Sequence, residues 1–285
     1  MIRRHLRNSQ GLLKPVARSR GMGLAVGVLT LMAVYPITGY GEDAPRTWVV
    51  GKDMPTLEGA VEKARAGDII ELPAGEYRLQ KPLVVGKSLT LRGAGAARSK
   101  VRCEAEGWVL RLEGKGRWQL EGLTWEHGGE SWADVVVVEG GELEMRGCVC
   151  RGGVQDEANK RSGAGLWLTG KSKGVVRESE FVGNGLHGIQ VSGESVPVLE
   201  GNRCEENQKV GIAYGDRSGG TARNNICQKN GGSGIEVGGE SQVVLEENQC
   251  DDNDRYGIYV TASARPKLGS NSSRGNKKGD IYRER

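Results

Sequence analysis

Histidine is scarce in this sequence, which contains three in 285 residues. Beyond the N-terminal leader only His127 and His187 remain, and no array of methionine or cysteine accompanies them. Since copper sites are built from such imidazole and sulfur ligands, the pattern is a poor one for copper. A cluster of carboxylates without basic neighbours is also missing. The sequence therefore gives no reason to expect a metal ion or another cofactor.

An excess of positive charge is missing as well once the leader is set aside. The whole chain has 40 Lys and Arg against 36 Asp and Glu. The first 41 residues hold six of the basic residues and none of the acidic ones, so the remainder has a net charge near −2. Residues 42–285 thus lack the basic footprint of a nucleic-acid-binding protein, and we expect no nucleic acid partner.

Residues 1–41 are typical of a secretory signal peptide. A basic segment precedes an apolar stretch from Gly23 to Ile37, and small residues up to Gly41 offer a cleavage site. The alternative is a single membrane anchor, but the apolar stretch is short for a span and contains Pro36. We expect cleavage near Gly41 and a secreted or periplasmic protein with no remaining membrane span.

What the sequence does contain is a repeat of 23 residues, unbroken over its last third. The repeated positions are the Gly-Ile pairs starting at Gly188, Gly211, Gly234 and Gly257, one asparagine row of Asn202, Asn225, Asn248 and Asn271, and a second of Asn184, Asn207, Asn230, Asn253 and Asn276. A fixed period of this length is the signature of a solenoid. Three short apolar segments per repeat predict an all-β fold, a parallel β-helix of roughly eight coils and roughly 40 Å.

The repeat also predicts which side chains point inward. The two inward ladders are Leu166, Ile189, Ile212, Ile235 and Ile258, and Val176, Leu199, Ala222, Leu245 and Leu268. Asparagine suits the corners because it tolerates left-handed backbone angles and can bond its own stacked copy. A third ladder contains Phe181, Cys204, Cys227 and Cys250. Because phenylalanine shares this position, it indicates a buried apolar slot rather than stacked disulfides. The pairing of Cys148 and Cys150 stays open.

The chain divides into a cap and a run of coils. Residues 42–95 are predicted to form an N-terminal cap and the first coil, and residues 96–285 the β-helix coils. A helix from Thr56 to Ala66 would cover the open end of the first coil, which otherwise exposes strand edges. Two polar excursions, Glu126–Asp134 and Gln155–Ser162, interrupt the repeat and are predicted to leave the rod as loops.

Two segments near the start of the predicted β-helix resemble a known protein family. They are Pro55-Thr-Leu with Ala66-Gly-Asp-Ile-Ile-Glu-Leu-Pro-Ala-Gly-Glu-Tyr77, and Lys87-Ser-Leu-Thr-Leu-Arg-Gly-Ala-Gly95. They look like the opening of right-handed parallel β-helix repeat proteins, a group that includes pectate-lyase-like enzymes, periplasmic copper-maturation proteins and the β-helix region of some F-box proteins. The resemblance implies the fold, which hosts unrelated activities. It also implies that a lyase would need acidic calcium ligands and an Arg or Lys base.

Most surface charges are predicted to pair along the rod. Three outward rows alternate in sign: Lys171, Glu194, Arg217 and Glu240; Arg177, Glu200, Arg223 and Glu246; and Glu206, Lys229 and Asp252. Stacked neighbours lie about 5 Å apart, where opposite charges attract, so these rows fix register and solubility. The acidic run 251–254 resembles a metal loop in isolation, but Lys229 stacks below it. We predict a solvated corner there.

One outward row is not explained by charge pairing. It contains Trp167, Gln190, Ala213, Glu236 and Tyr259. Aromatic faces with interspersed amide and carboxylate groups suit stacking on sugar rings and hydrogen bonding to hydroxyls. The two loops could wall one end of this row, and His127 and Trp132 in the first loop are further candidate ligand-binding residues. We predict a binding module for extended glycans, without a catalytic constellation.

Two other functions remain open. The first is a polysaccharide lyase, epimerase or hydrolase, which requires Glu126, His127, Asp156 or Glu157 to converge with Lys160 or Arg161 over one cleft. The second is a structural or assembly partner in the cell envelope, with another protein stacked on the C-terminal end of the rod.

Overall fold

The structure is a computed structural model that describes residues 44–285. This part of the chain contains one helix, α1 (Leu57–Lys63), and 28 strands. In chain order the strands are β1 (Thr47–Val49), β2 (Ile69–Leu72), β3 (Gly75–Leu79), β4 (Leu83–Val85), β5 (Leu89–Gly93), β6 (Ser99–Cys103), β7 (Gly107–Glu113), β8 (Arg117–Glu121), β9 (Thr124–His127), β10 (Ala133–Glu139), β11 (Glu142–Arg146), β12 (Val149–Arg151), β13 (Leu166–Thr169), β14 (Lys173–Arg177), β15 (Glu180–Val182), β16 (Ile189–Val191), β17 (Val196–Glu200), β18 (Arg203–Glu205), β19 (Ile212–Tyr214), β20 (Gly219–Arg223), β21 (Ile226–Gln228), β22 (Ile235–Val237), β23 (Gln242–Glu246), β24 (Gln249–Asp251), β25 (Tyr256–Val260), β26 (Lys267–Leu268), β27 (Ser272–Arg274) and β28 (Gly279–Arg283). The predicted signal peptide lies outside the described residues.

The strands form three parallel sheets, and each coil of the chain contributes one strand to each sheet in turn. Sheet I has ten strands, from β1 and β2 to β26; sheet II has nine, from β3 to β27; and sheet III has nine, from β4 to β28. This confirms the parallel β-helix. The expectation of eight coils was too low, because residues 42–95, predicted to hold the cap and only one coil, contribute three strands to sheet I, namely β1, β2 and β5.

The period of 23 residues is exact in the last coils and not in the first. Ile212 pairs with Ile189 on one side and Ile235 on the other, as the repeat requires. Cys150, in contrast, pairs with Phe181, 31 positions later, because the second loop is inserted between them. The repeat therefore continues through a coil of irregular length without a change of register in the core.

The core is the predicted set of inward ladders. The ladder residues of sheet III are completely buried: Leu166, Ile189, Ile212, Ile235 and Ile258. Leu199, Ala222 and Leu245 of sheet I are also completely buried, whereas Leu268 at the end of that ladder is only partly buried. Burying each large aliphatic side chain contributes roughly 1.5–3 kcal/mol. The glycine before each isoleucine has a packing reason, because a Cβ on Gly211 would lie 2.6 Å from the carbonyl oxygen of Gly234 in the next coil.

The capping helix is present but shorter than predicted. Thr56 caps its N-terminus, since its Oγ1 accepts a hydrogen bond from the backbone N–H of Gly59 (3.1 Å). Leu57 and Val61 are buried and join the core of the first coil. The helix ends at Lys63 rather than Ala66, because the carboxylate of Asp68 binds the backbone N–H of Arg65 (2.8 Å) and holds the chain in a turn.

Asparagine stacks at the corners as predicted, but half of the reason given for it was wrong. Asn225 Nδ2 donates to Asn248 Oδ1 (2.9 Å), and Asn225 Oδ1 accepts from Asn202 Nδ2 (3.0 Å). The left-handed backbone belongs to the residue before the ladder asparagine in every case but Asn271, for example Asn224 (φ 54°) and Lys229 (φ 55°). The buried asparagine amide therefore satisfies buried backbone groups, and the exposed residue beside it makes the turn.

All six cysteines are free and buried. Cys204, Cys227 and Cys250 stack on Phe181 in sheet II, which confirms the apolar slot. Cys148 lies at the corner before β12, where its backbone N–H donates to Ser179 Oγ (3.2 Å). It occupies the position that asparagine fills in later coils, which explains why Cys148 and Cys150 both point inward.

Candidate functional site

The predicted outward row lies along sheet III in exact register. Trp167 pairs with Gln190, Gln190 with Ala213, Ala213 with Glu236 and Glu236 with Tyr259. These residues face outward because they alternate with the buried ladder of the same strands. Four steps of about 4.8 Å separate the two aromatic ends, so Trp167 and Tyr259 lie about 20 Å apart along the rod.

A cleft of about 460 Å³ lies at the Trp167 end of the row. Its lining residues are Gln155, Glu157, Lys160, Arg161, Ser162, Trp167, Leu186 and Gln190. The second loop supplies the first five, and the outer surface of sheet III supplies Trp167 and Gln190. Ser162 Oγ donates to Gln190 Oε1 (3.1 Å), which connects the wall of the cleft to its floor. The cleft thus combines one aromatic face with amide, carboxylate and cationic groups.

The first loop supports this wall instead of lining the cleft. Trp132 Nε1 donates to the carbonyl oxygen of Ser162 (2.5 Å), and the guanidinium of Arg161 lies 4.8 Å from the centre of the Trp132 ring. Ala133 and Val154 exchange backbone hydrogen bonds that join the two loops directly. Arg161 also pairs with Glu106 of an earlier coil (2.5 Å). Trp132 is therefore a positioning residue for the second loop.

His127 lies inside the molecule. It is 3% exposed, and its Nε2 contacts the carbonyl oxygen of Ser131 (3.0 Å). Burial lowers its pKa, so the ring is neutral near pH 7. His187 is half-buried, and its Nδ1 accepts a hydrogen bond from the backbone N–H of Val210 (3.2 Å). Neither histidine lines the cleft over Trp167.

The groups named for the enzyme hypothesis converge only in part. Glu157, Lys160 and Arg161 line the cleft, and Glu157 pairs with Lys209 at its edge (3.2 Å). Glu126 lies on sheet II instead, where Arg151 (2.5 Å) and Arg102 (3.3 Å) hold its carboxylate.

Asp156 is also committed, since it accepts two hydrogen bonds from Asn159 within the loop. Within residues 44–285, no three histidine, cysteine or acidic side chains are placed to hold a metal ion.

The far end of the row is an aromatic cluster larger than the sequence prediction. Tyr259 stacks with Tyr256 (ring centres 5.6 Å apart) and with Tyr282 (5.7 Å), and Tyr256 stacks with Tyr282 (4.9 Å). The guanidinium of Arg255 lies 5.4 Å from the Tyr259 ring centre. Tyr282 stands one period after Tyr259 and was missed, although extending the repeat by one step identifies it.

The Tyr259 end is anchored by acidic groups. The Tyr259 hydroxyl donates to the carboxylate of Glu284, which raises the pKa of Tyr259 to about 12. Glu236 is half-buried beside it, and burial raises the pKa of its carboxyl group while Arg255 opposes the shift. An ionised carboxylate in this position accepts charge-assisted hydrogen bonds from hydroxyl groups.

The predicted charge rows are paired only in part. Glu194 bridges Lys171 (2.9 Å) and Arg217 (2.6 Å), and Arg223 pairs with Glu200 (3.0 Å). The third predicted row has no ion pair in the described part of the chain; its members, Glu206, Lys229 and Asp252, share a left-handed backbone instead.

The acidic run 251–254 is occupied by ordinary contacts. Asp251 accepts from the backbone N–H of Arg274 (3.0 Å), and Asp254 pairs with Lys277 (2.7 Å).

Comparison with known proteins supports the architecture. A family model described as "Right handed beta helix region" matches residues 134–284. No curated protein matches the chain in sequence. In the part of the chain that the structure describes, no helix is long and apolar enough to cross a membrane.

Three solved structures illustrate the likeness. A pectate lyase is 13% identical with a TM-score of 0.63, covering 84% of this chain and 79% of its own. An alginate lyase from Paenibacillus is 15% identical with a TM-score of 0.54, covering 84% and 98%. The Dettilon tailspike protein is 14% identical with a TM-score of 0.54, covering 79% of this chain, which spans a little over half (56%) of the tailspike. At these identities the likeness concerns the fold alone.

Proposed function

Because the chain belongs to the right-handed β-helix family, we propose that it is an exported binding module whose sheet III holds an extended glycan. The observation that carries the proposal is the row from Trp167 to Tyr259, with aromatic rings at both ends and polar groups between them. Sugar rings present apolar faces that stack on aromatic side chains, while their hydroxyls bond to amides and carboxylates.

The proposed ligand lies along the rod. Its first sugar rings stack on Trp167 beside the second loop, and Gln190 and Glu236 bond to hydroxyl groups farther along. Tyr259 and Tyr282 form the other aromatic end. The names of the similar structures, a pectate lyase and an alginate lyase, agree with a polysaccharide ligand.

Catalysis by the cleft is the second candidate, because Glu157, Lys160 and Arg161 line it together above Trp167. A general base must reach the proton it removes, and a cation beside it must stabilise the charge that develops. In this structure Glu157 is already paired with Lys209. We therefore place binding before catalysis.

One experiment separates the two functions. The protein is incubated with a panel of acidic and neutral polysaccharides, and each well is read for retention of the protein and for ultraviolet absorbance of unsaturated uronates. We expect retention by at least one polysaccharide without a rise in absorbance. A rise would make the protein a lyase, and the absence of both signals would contradict the glycan proposal.

The aromatic row is then tested by substitution. Replacing both ends, Trp167→Ala with Tyr259→Ala, should lower glycan affinity at least tenfold, since stacking on the two rings is lost. A matched control replaces outward residues of the other sheets, Thr221→Ala with Gln228→Ala. Thermal unfolding of both variants reports whether the fold is intact. Equal affinity in the wild type and the aromatic variant would show that the glycan binds elsewhere.

A further inference from the structure

A second concave surface lies where sheet III passes into sheet I. This surface, the basic corner, is a cleft of about 580 Å³ formed by three glycine-containing turns stacked along the rod. Its lining residues are Gly114, Lys115, Gly116, Arg117, Glu139, Gly140, Gly141, Glu142, Gly170, Lys171 and Lys173. The glycine turns leave little side-chain bulk, so the backbone itself forms much of the floor.

Positive charge predominates at the basic corner. Four cationic side chains line it against two carboxylates. Glu139 is already held by Arg111, which lies outside the lining. Glu142 is shared at long range between Arg117 (3.4 Å) and Lys173 (3.6 Å). Lys171 pairs with Glu194 of the next coil (2.9 Å), which lies outside the lining. Lys115 has no carboxylate partner among residues 44–285, so the cleft has one cationic group that the protein does not neutralise.

Backbone hydrogen-bond donors, like the cationic side chains, favour an anion at the basic corner. Within the described chain the backbone N–H groups of Gly141 and Gly170 have no hydrogen-bond acceptor, whereas those of Gly140 and Glu142 do. Gly141 and Gly170 lie in left-handed turns, with φ of 65° and 69°. Unpaired backbone N–H groups beside cationic side chains are the arrangement with which proteins bind oxyanions.

In the next coil, the backbone N–H at the position equivalent to Gly170 has a carboxylate acceptor. Because Lys173 pairs with Val196, Gly170 corresponds to Gly193 one coil later. The backbone N–H of Gly193 donates to the carboxylate of Asp216 (2.8 Å) in the coil after that. Gly170 instead faces Gly193, which has no side chain to offer. The protein thus supplies its own oxyanion to this donor at Gly193, whereas the equivalent N–H groups of Gly170, Asp216 and Gly239 have no acceptor within the described chain. Of these three residues only Gly170 lines the basic corner.

We propose that the basic corner is an oxyanion-binding site for a carboxylate, sulfate or phosphate group, distinct from the aromatic row on sheet III. The N–H groups of Gly141 and Gly170 donate to the anion's oxygens. Lys115, which has no carboxylate partner, balances most of the anion's charge, and Lys171, which shares Glu194 with Arg217, adds to it. The anion comes either from a free inorganic ion or from an acidic substituent of a glycan, since both present the same oxygen atoms.

Amide chemical shifts test the site directly. The ¹⁵N-labelled protein is titrated with sodium sulfate, with sodium phosphate and with an oligogalacturonate, at ionic strength held constant with sodium chloride. We expect the Gly141 and Gly170 amide signals to move and saturate. The Gly193 amide is the internal control and should stay in place, because Asp216 already occupies it.

The pattern of responses identifies the source of the anion. Saturation by sulfate or phosphate indicates a site for a free ion, and saturation by the oligogalacturonate alone indicates an acidic group on a glycan. Both results support the site. If none of the three probes shifts the two amides saturably, or if Gly193 moves equally, the proposal is wrong.

A charge variant provides the second test. Lys115→Gln with Lys171→Gln should weaken binding of the effective probe at least tenfold, as followed by the Gly170 amide. Lys52→Gln with Lys229→Gln removes the same charge from distant surfaces and should leave the affinity within twofold of the wild type. Equal affinity in the two variants would contradict a site at this corner.

Discussion

At the scale of single residues, the buried asparagines are the positions with the strictest hydrogen-bonding requirements. Asn225 makes every hydrogen bond that its side chain can make. Its Nδ2 donates to Leu199 O (2.9 Å) and Asn248 Oδ1 (2.9 Å), while its Oδ1 accepts from the backbone N–H (3.0 Å) and Nδ2 (3.0 Å) of Asn202. A buried polar network of this kind stabilises only when all of its members are satisfied.

Asn225→Ala should therefore lower the free energy of unfolding by about 3 kcal/mol or more, because it leaves several buried donors and acceptors unpaired. Asn271→Ala is the matched control. Asn271 is at the end of the same ladder and half-buried, so water replaces its partners and the expected loss is about 1 kcal/mol. Chemical denaturation measures the free energy of unfolding of both variants. Similar losses in the two would show that the buried asparagine ladder is not the source of the stabilisation.

Asp134 is the buried residue whose charge opposes folding. It is 1% exposed in β10, at the end of the first loop, where its Oδ1 accepts from the backbone N–H of Ala164, just beyond the second loop (2.7 Å). Burial raises its pKa to about 6, although the hydrogen bonds from Ala164 and Ser162 act against the shift. The carboxyl group is thus preferentially neutral in the folded protein.

A raised pKa stabilises the fold at low pH, and this contribution is lost as the pH rises from about 4 through about 6. Asp134→Asn should be more stable than the wild type at pH 7, by up to about 3 kcal/mol, and the advantage should shrink toward pH 4. Comparing the two proteins cancels the titration of the histidines. A stability difference that does not change with pH would show that Asp134 titrates normally.

At the scale of elements, side chains stacked between coils set the register of the sheets. Arg177, Glu200 and Arg223 are in register on the outer surface of sheet I, and Arg223 pairs with Glu200 (3.0 Å). Both side chains are partly exposed, so such a pair is worth about 0.2–1 kcal/mol.

Glu200→Arg would stack three arginines in one row. We expect a loss of about 1 kcal/mol, which added salt reduces because it screens like charges. Glu200→Gln is the matched control, since it removes the attraction without adding repulsion and should cost less. The measurement is the free energy of unfolding at low and high salt. Equal salt dependence of the free energy of unfolding in the two variants would show that the charge row does not set the register of the coils.

At the scale of the whole molecule, the repeat made the fold predictable and the loops made the site harder to predict. From Leu166 onward each coil repeats the same inward and outward positions, so residues one period apart had to be neighbours. The contact between Arg161 and Glu106 joins residues 55 positions apart and follows no period. The sequence therefore indicated the row on sheet III but not that Trp132 would support the loop from below.

The basic corner shows a second limit of sequence reasoning. Its donors are backbone N–H groups, and every glycine has one, so no pattern of residue types distinguishes an open donor from a paired one. Only the register of the coils reveals that the residue stacked on Gly193 is Asp216, whose carboxylate accepts the Gly193 N–H, while the residue stacked on Gly170 is a glycine.

A glycan lying along sheet III is the central proposal for this protein, and the length of that glycan provides the most direct test. Dissociation constants should be measured for oligosaccharides of increasing length, prepared from the polysaccharide that retains the protein. We predict that affinity rises until the ligand spans the roughly 20 Å between Trp167 and Tyr259 and then stays level. In the Trp167→Ala, Tyr259→Ala variant the rise should disappear. Equal affinity for the shortest and longest ligands, or an unchanged rise in the variant, would contradict binding of the glycan along sheet III.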